Sequence, residues 1–430
     1  MKRLIAVGVA VACVLATPRL STAAGPAPVP SLADLEAQAR RQTSAVPRVP
    51  LAPTSAEALR AVDSFEPASS GRVPNYLRAL AAVKPPAAKS FARLVKTFAY
   101  AGNLSPALKL AMALRIAQVN RSPYAVAHLE RLLHATGPDG DAYVAKLRTN
   151  QLDQLSPGDR LALRWAELQT SDIHGMTDVE FRQLRGYFAD SDIVELTFTV
   201  CAFNYFTRLV EAVGLPVEPW IFDQNAKPTP PPAWTRDRNP PRVALISDEE
   251  MAATAKAATA TRRQAASTAG VLNAQRAMLR VPALADAWNE FSAVTGQASV
   301  GREIMLQVSF AVSMANGCRY CTMHQVLFLR RLGVDPTKLL AMEKDDNALN
   351  PREKAAVIFA RKLTATPWAM TDADYAALRR EFQEQGALEV LLQTCTFSFM
   401  NRFTDGLNLP SEDDAIQFYR EVYGHDFTRR

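Results

Sequence analysis

Two stretches of the chain share one pattern, and this pattern predicts the fold. "SPGDRLALRWAELQTSDIHGMTDVEF" occupies residues 156–181, and "NPREKAAVIFARKLTATPWAMTDADY" occupies residues 350–375. Each begins with Ser or Asn followed by Pro, which are favoured at the cap and the first position of an α-helix. In both, a Thr with an acid three residues later precedes a second amphipathic run. Apolar residues recur at spacings of three and four without sustained alternation, so we predict an all-α protein.

The match extends well beyond these two stretches. Residues 156–216 align with residues 350–410 without a gap, at a constant offset of 194 positions. Further upstream, "NRSPYAVAH" from Asn120 matches "NGCRYCTMH" from Asn316, at an offset of 196. The repeated unit is therefore about 195 residues long, far longer than the repeats of solenoid proteins. We predict an internal duplication that forms two similar helical bundles in tandem.

A proline-rich segment separates the two copies. Residues 218–244 contain clusters of Pro, which cannot continue a helix and which favour an extended, semi-rigid chain. Residues before the first copy are rich in Pro, Ala and Ser. The predicted organisation is a signal peptide over residues 1–24, a flexible lead-in over 25–60, a first bundle over 61–217, the linker over 218–244 and a second bundle over 245–430.

The first residues have the pattern of a secretory signal. Lys2 and Arg3 precede a short apolar run over residues 4–16, and small residues follow near Ala23. This run is too short for a permanent membrane span, and no later segment resembles one. A lipoprotein acylated at Cys13 is a weaker alternative. We therefore expect export to the periplasm, where a cysteine pair can remain oxidised.

The composition sets limits on the partners. The chain has 430 residues, of which 48% are hydrophobic and 21% charged, as in an ordinary globular protein. The formal net charge of +6 falls to +3 once the three basic residues of the signal peptide are removed. This charge is too weak to indicate a nucleic-acid partner. We expect no nucleic acid and no stable membrane span.

The segment "ANGCRYCTMH", residues 315–324, carries the chemically reactive groups. Cys318, Cys321 and His324 are three residues apart and share one side of a helix that we predict to begin at Asn316. The start of a helix favours a thiolate, and a second thiol can resolve a sulfenic acid as a disulfide. Alternatives are a structural disulfide, inert buried cysteines, or a zinc site completed by Glu303 or water.

A family resemblance includes this segment. "REIMLQVSFAVSMANGCRYCTMH", residues 302–324, followed by residues 349–382, resembles the alkylhydroperoxidase D-like (AhpD-like) and carboxymuconolactone decarboxylase superfamily. The resemblance covers residues 270–412 and, more weakly, residues 72–216. It implies two AhpD-like helical bundles and the reduction of a hydroperoxide substrate.

The resemblance also implies a role for each residue. Cys321 would attack the peroxide, Cys318 would resolve it, Glu303 would be the relay carboxylate and His324 the relay base. The histidine of the family corresponds to Gln325, one residue beyond His324. The helix-start argument instead favours Cys318 as the more acidic thiol. We expect a thiol reductant as partner, and neither a cofactor nor a metal ion.

The first copy lacks the thiols. Ser122 and Ala125 occupy the positions of the two cysteines, whereas Asn120, Tyr124 and His128 persist. We predict a degenerate domain without thiol chemistry. A hydrolase built on Ser122 and His128 is disfavoured, because no acid partner or oxyanion motif accompanies them. The persistence of His128 favours a packing role for both histidines as much as a proton relay.

These observations predict an exported, thiol-dependent peroxidase-like oxidoreductase. One alternative is a carboxymuconolactone decarboxylase-type lyase that acts without thiols, and another is a non-catalytic helical module. Cys201 and Cys395 lie at matching apolar positions, and we expect them to be buried and inert. The two copies are expected to pack as an internal pseudo-dimer, with further homo-oligomers as an option.

Overall fold

The computed structural model describes residues 28–60, 62, 72–223, 246–247, 250, 272–344, 348–425 and 427. The predicted signal peptide, and residues 224–244 of the predicted linker, lie outside the described residues. Every regular element within the described part of the chain is a helix, and the predicted all-α class is confirmed.

Nine described α-helices form the first half of the chain. Four short 3₁₀ turns accompany them within the described residues, at Gln42–Ser44, Glu57–Leu59, Leu152–Gln154 and Pro219–Phe222. The helices are α1 (Leu32–Arg41), α2 (Asn75–Val83), α3 (Pro85–Tyr100), α4 (Pro106–Val119), α5 (Pro123–His134), α6 (Pro138–Thr149), α7 (Pro157–Ser171), α8 (Asp178–Arg185) and α9 (Asp190–Val213).

Eight described α-helices form the second half. They are α10 (Asn273–Met278), α11 (Pro282–Thr295), α12 (Arg302–Asn316), α13 (Arg319–Arg331), α14 (Pro336–Lys344), α15 (Pro351–Ala365), α16 (Asp372–Gly406) and α17 (Asp413–Tyr423), with a 3₁₀ turn at Pro367–Ala369. Helix α16 breaks at Gln383, whose φ is +58°. This break lies where the first half separates α8 from α9.

The capping residues explain why these helices begin where they do. The Ser156 hydroxyl accepts the Asp159 N–H at the start of α7, and the Asn350 side chain accepts the Glu353 N–H at the start of α15. Thr177 caps α8 and Thr371 caps α16 in the same way, each within a capping box. A cap of this kind stabilises a helix by about 1 kcal/mol. The predicted helix starts at these four positions are confirmed.

The two halves pack against each other through their central helices. Helix α9 lies along α16, and α3 packs on α11. The ring centroids of Phe198 and Phe403 are 4.8 Å apart, and those of Phe91 and Phe291 are 5.2 Å apart. Burial of each large apolar side chain stabilises the fold by about 1.5–3 kcal/mol. One continuous apolar core therefore runs through both halves.

Helix α9 is the one described helix that is long and apolar enough to cross a membrane by length and composition. Its apolar window is entirely buried in the structure. The helix lies along α16 in the core that the two halves share. Its apolar character is therefore explained by packing on both sides.

The prediction of a flexible lead-in over residues 25–60 needs correction, because much of this segment is ordered. Leu32, Leu35 and Ala39 of α1 are fully buried, and α1 packs against α5. The spacing of these three residues is helical, but the abundance of Pro, Ala and Ser around them concealed it. Further along, Arg48 donates to Glu211 O at 2.8 Å and to Met370 O at 3.2 Å, so this segment also joins the two halves.

Candidate functional site

The thiol pair, Cys318 and Cys321, lies at the junction of α12 and α13. Asn316 was predicted to begin a helix, but it is the last residue of α12, and Cys318 is the N-cap of α13. Gly317 forms the turn between them with φ at +66°, a conformation that a residue with a Cβ rarely adopts. A Cβ at this position would also lie 3.1 Å from His174 Nε2, which belongs to the first half.

One hydroxyl group contacts both sulfur atoms. Thr404 Oγ1, on α16, is 3.4 Å from Cys318 Sγ and 3.3 Å from Cys321 Sγ. The backbone N–H of Cys321 also donates to Cys318 Sγ at 3.3 Å, as expected for an N-cap side chain. The two thiols are therefore held together at the start of α13 by the Thr404 hydroxyl and the Cys321 N–H.

The two thiols have low exposure, at 0% for Cys318 and 3% for Cys321. Burial raises the pKa of Cys318 well above its ordinary value, and the contact with Cys321 and the carboxylate of Asp405 act in the same direction. The Thr404 hydroxyl opposes this rise but does not cancel it. The direction of this shift keeps Cys318 as a thiol, whereas the start of the helix was expected to favour its thiolate.

His324 is held by groups other than the thiols. Its Nδ1 lies 2.7 Å from the Tyr320 carbonyl oxygen, and its Nε2 lies 2.7 Å from Glu412 Oε2. The ring also stacks on the Tyr320 ring, with centroids 4.2 Å apart. Because a carbonyl oxygen only accepts, Nδ1 carries a proton there. Nδ1 is thus hydrogen-bonded to the Tyr320 carbonyl, whereas Nε2 lies at ion-pair distance from Glu412 without the geometry of a hydrogen bond.

Glu412 joins three elements around His324. Its Oε1 accepts the Tyr320 hydroxyl at 3.0 Å and the Asn273 N–H at 2.7 Å, so it links α10, α13 and the start of α17. Burial acts to raise the pKa of Glu412, but the contacts with His324 and Asn273 outweigh it and hold that pKa below its ordinary value. Glu412 is therefore ionised at neutral pH.

The first half contains the same histidine–glutamate–tyrosine unit. His128 Nε2 lies 2.9 Å from Glu218 Oε2, and the Tyr124 hydroxyl donates to Glu218 Oε1 at 2.8 Å. The Asn75 N–H also donates to Glu218. Since this copy has no cysteine at the positions of Cys318 and Cys321, the unit does not depend on a thiol pair. Its common effect in both halves is to fix the position of one helix against its neighbours.

Ser122 does not form a pair with His128. The Ser122 hydroxyl donates to Glu211 Oε1 at 2.6 Å, whereas His128 contacts Glu218. The two side chains therefore have separate acidic partners. This arrangement agrees with the rejection of a serine hydrolase in the first half.

Glu303 lies far from the thiol pair. It is near the start of α12, and the 13 residues from it to Asn316 span about 20 Å of helix. Lys338 Nζ donates to its carboxylate at 2.9 Å, and Gln307 Nε2 donates at 3.0 Å. The expectation that Glu303 relays protons or completes a zinc site at the cysteines is therefore wrong. Within the described ranges, no cluster of three or more His, Cys, Asp or Glu side chains could hold a metal ion.

Two contact residues of this site were missed in the sequence. Glu412 matches Glu218 at the offset of 194, two positions beyond the end of the recognised match, so a longer alignment would have found it. Thr404 had no such signal, because Val210 occupies its position in the first copy. Its contribution appears only when α16 packs beside α13.

Cys201 and Cys395 are buried, as the sequence predicted, and both carry free thiols. Burial raises the pKa of Cys201 well above its ordinary value and raises the pKa of Cys395 in the same way. A protonated, enclosed thiol is a poor nucleophile. These two cysteines therefore form a background against which the reactivity of the thiol pair can be measured.

Comparison with known proteins found no protein-family model that matches the chain and no curated protein that matches it. The debrominase Bmp8 is 20% identical in sequence, with a TM-score of 0.37, over 42% of this chain and 97% of its own. An AhpD-core, peroxidase-related protein from Ralstonia eutropha JMP134 is 19% identical, with a TM-score of 0.32, over 46% of this chain and 94% of its own. Each match spans less than half of this chain, and none assigns a function to it.

Proposed function

We propose that the chain is an exported thiol peroxidase-like protein in which the thiol pair of the second bundle reduces hydroperoxides. The first bundle would be a degenerate copy that arose by internal duplication. The observation that carries this proposal is the geometry at the start of α13, where both sulfur atoms lie within 3.4 Å of Thr404 Oγ1. Two thiols at one hydroxyl group can act in sequence on one substrate.

The reaction requires two steps. The Cys321 thiolate attacks the terminal oxygen of a hydroperoxide, the O–O bond breaks, and the alkoxide leaves as an alcohol after taking a proton. Cys321 is then a sulfenic acid. Cys318 attacks this sulfur, the S–O bond breaks, and hydroxide leaves as water. The pair has supplied two electrons and is a disulfide, which an external dithiol reduces by exchange.

The surroundings support this order of the two cysteines. The raised pKa of Cys318 keeps it as a thiol, which suits a resolving residue that reacts second. Cys321 is in the first turn of α13. The Thr404 hydroxyl donates to Met400 O at 2.9 Å, and rotation of this proton toward Cys321 Sγ would stabilise a thiolate there.

His324 is a positioning residue in this scheme. It ties α13 to α17 through Glu412, and α13 carries the thiol pair on its first turn. Glu303 takes no part, because its carboxylate pairs with Lys338 at the other end of α12. The proton for the leaving alkoxide would come from Cys318, Thr404 or solvent rather than from a histidine–glutamate relay.

Sulfenic-acid trapping on single variants tests the assignment. We expect Cys318→Ser to react once with tert-butyl hydroperoxide and to carry a dimedone label at Cys321. Cys321→Ser should carry no label. Cys201→Ser is the matched control, since it removes a buried thiol and should behave as the wild type. Peptide mass mapping locates the label.

Two outcomes would change the proposal. A label on Cys318 in the Cys321→Ser variant, at the wild-type rate, would reverse the two roles. A wild-type pair that is inert to the peroxide would exclude the peroxidase function. Turnover of a lactone by a variant without cysteines would then favour the lyase, and no turnover would favour a non-catalytic helical module.

Export is a part of the same proposal. Its support is the pattern of Lys2, Arg3 and the apolar run that follows them. The full chain, expressed in a Gram-negative host, should be recovered from the periplasm after cleavage near Ala23. Recovery of a chain that retains residues 1–24 in the cytoplasm would contradict export. It would not bear on the thiol chemistry, which the trapping experiment tests separately.

A further inference from the structure

A cleft of about 1060 Å³ lies between the two halves, beside the turn that precedes the thiol pair. Matched positions of the two copies line it from opposite sides. Thr170 and Thr364 are one such pair, and Arg208 and Arg402 are another. A cleft of this size can hold a small organic molecule.

Arg208, on α9, and Arg402, on α16, are the unusual residues of this cleft, because each is only 2% exposed. Arg208 Nη1 donates to the side-chain oxygen of Asn204 at 2.7 Å. Arg402 donates from Nη1 to Ser398 O at 2.9 Å and from Nη2 to Thr170 O at 3.4 Å. The Nε–H of each arginine has no hydrogen-bond partner.

The partners of both guanidinium groups are neutral amide or carbonyl oxygens. Among the residues that the structure describes, no carboxylate forms an ion pair with either arginine. Burial lowers the pKa of Arg402 well below its ordinary value, and the charge of Arg208 nearby acts in the same direction. Two buried cations without an anion are destabilising, because no opposite charge offsets their desolvation or their mutual repulsion.

The acids that line the cleft do not supply this anion. Glu167 accepts Arg115 Nη2 at 2.8 Å, and Asp172 accepts the His174 N–H at 3.1 Å within its own turn. Both acids therefore have other partners. The cleft has an excess of positive charge at its base.

Apolar side chains complete the wall. Trp368, Ile173 and Leu168 line the cleft, and Arg121 lies over the Trp368 ring at 5.6 Å. An apolar wall above a positively charged base suits a molecule with one anionic group and an apolar body. Guanidinium groups recognise a carboxylate through paired N–H donors, and such charge-assisted bonds are among the stronger hydrogen bonds in proteins.

We propose that this cleft binds a small organic carboxylate, with its anionic group at Arg208 and Arg402 and its apolar body against Trp368. The site does not include the cysteines, so the proposal of carboxylate binding can be tested independently of the peroxidase proposal. Because the cleft lies between the halves, each copy contributes one arginine to the site. The silent first bundle therefore supplies half of a binding site.

The test uses the full chain and two matched pairs of probes, benzoate with benzamide and octanoate with octanamide, at constant ionic strength. We expect at least one carboxylate to raise the unfolding temperature in a dose-dependent way and to give a calorimetric Kd that is at least tenfold lower than that of its amide. Arg208→Gln and Arg402→Gln should each weaken the binding of this carboxylate at least tenfold. Arg182→Gln, which changes an exposed arginine, is the control and should leave it unchanged.

A second variant keeps the test valid if a buried arginine variant fails to fold. Ala315→Trp changes an exposed residue of the lining and should block the cleft without a change of charge. It should abolish binding and preserve the fold. The proposal is overturned if neither carboxylate is preferred over its amide, if binding survives Ala315→Trp, or if sodium sulfate gives as low a calorimetric Kd as the preferred carboxylate does.

Discussion

The α4–α5 junction and the α12–α13 junction are built alike, but only the second holds thiols. In the first, His128 contacts Glu218 at 2.9 Å, and in the second, His324 contacts Glu412 at 2.7 Å. A tyrosine hydroxyl donates to the glutamate in both. The first junction retains this histidine–glutamate–tyrosine unit although it has no cysteine. This difference indicates that the histidine–glutamate–tyrosine unit maintains the helix arrangement. Residues with a role in catalysis should therefore be sought among those that differ between the two junctions.

Three residues differ in a chemically meaningful way. In the second half, the matching positions hold Cys318 for Ser122, Cys321 for Ala125 and Thr404 for Val210 of the first half. In the second half, the three form one contact group around the Thr404 hydroxyl. In the first half, Ser122 donates instead to Glu211. Under the proposed function, the redox chemistry would belong to the group that the first half lacks.

The largest effect is expected when Thr404 of the second half is replaced by valine, the residue at the matching position of the first half. Thr404→Val removes the hydroxyl that contacts both thiols and retains the side-chain shape. A hydrogen bond to a charged group contributes about 1.5–3 kcal/mol, so we expect sulfenic-acid formation to slow by about 10- to 100-fold. Stopped-flow measurement with tert-butyl hydroperoxide gives this rate.

Val210→Thr, the reciprocal change, is the control for this prediction. It places a hydroxyl in the half that lacks the thiol pair, and the peroxide reaction should keep its wild-type rate. A Thr404→Val protein that reacts as fast as the wild type would mean that the shared hydroxyl has no part in the chemistry.

The next effect tests the unit that both halves share. Glu218→Gln and Glu412→Gln each remove a charge that accepts hydrogen bonds from two helices. We expect each to lower the free energy of unfolding by about 1–3 kcal/mol, as measured by urea denaturation. The Glu218 change should have the larger effect, because that side chain is 5% exposed and Glu412 is 21% exposed.

The peroxide reaction separates a positioning role from a catalytic one. If the unit only positions helices, the rate of Glu412→Gln should stay within about threefold of the wild type. A hundredfold loss of rate in Glu412→Gln without a loss of stability would show that the histidine–glutamate pair relays protons in the second half.

The last effect is a pH dependence that belongs to the first half. Burial raises the pKa of Glu211 to about 7, from an ordinary value of 4.5. The folded protein then binds one more proton than the unfolded chain between these values, so stability falls as the pH rises from 4.5 to 7. Glu211→Gln cannot ionise and should lose this contribution. Its stability relative to the wild type should increase across that interval and stay level above it.

Chemical denaturation at several pH values measures this difference. The Ser122 hydroxyl keeps an acceptor in Glu211→Gln, so the fold should be preserved. A difference between the two proteins that does not change between pH 4.5 and pH 7.5 would mean that Glu211 is ionised in the folded state.

The sequence predicted the helices well because their signals are local. The caps at Ser156 and Asn350 and the apolar spacing after them depend on neighbouring residues. The helix at α1 was missed, because its three buried residues gain their stability from α5, which is distant in the sequence. Local composition alone indicated a flexible segment there.

The candidate site was predicted only in part. The cysteines could be found from their spacing, but the partners that define their chemistry come from α16 and α17. Thr404 is 83 residues beyond Cys321, and its proximity depends on how the helices pack. Glu303 was selected by resemblance, and the length of α12 carries it away from the thiols.

The most direct test of the account is a count of free thiols in the chain without residues 1–24. This protein has four cysteines, Cys201, Cys318, Cys321 and Cys395. Denaturing alkylation and intact-mass measurement should give four labels before treatment. After one equivalent of cumene hydroperoxide, the account predicts two labels and a disulfide that maps to Cys318 and Cys321. Four labels after treatment, or a loss that maps to Cys201 and Cys395, would contradict it.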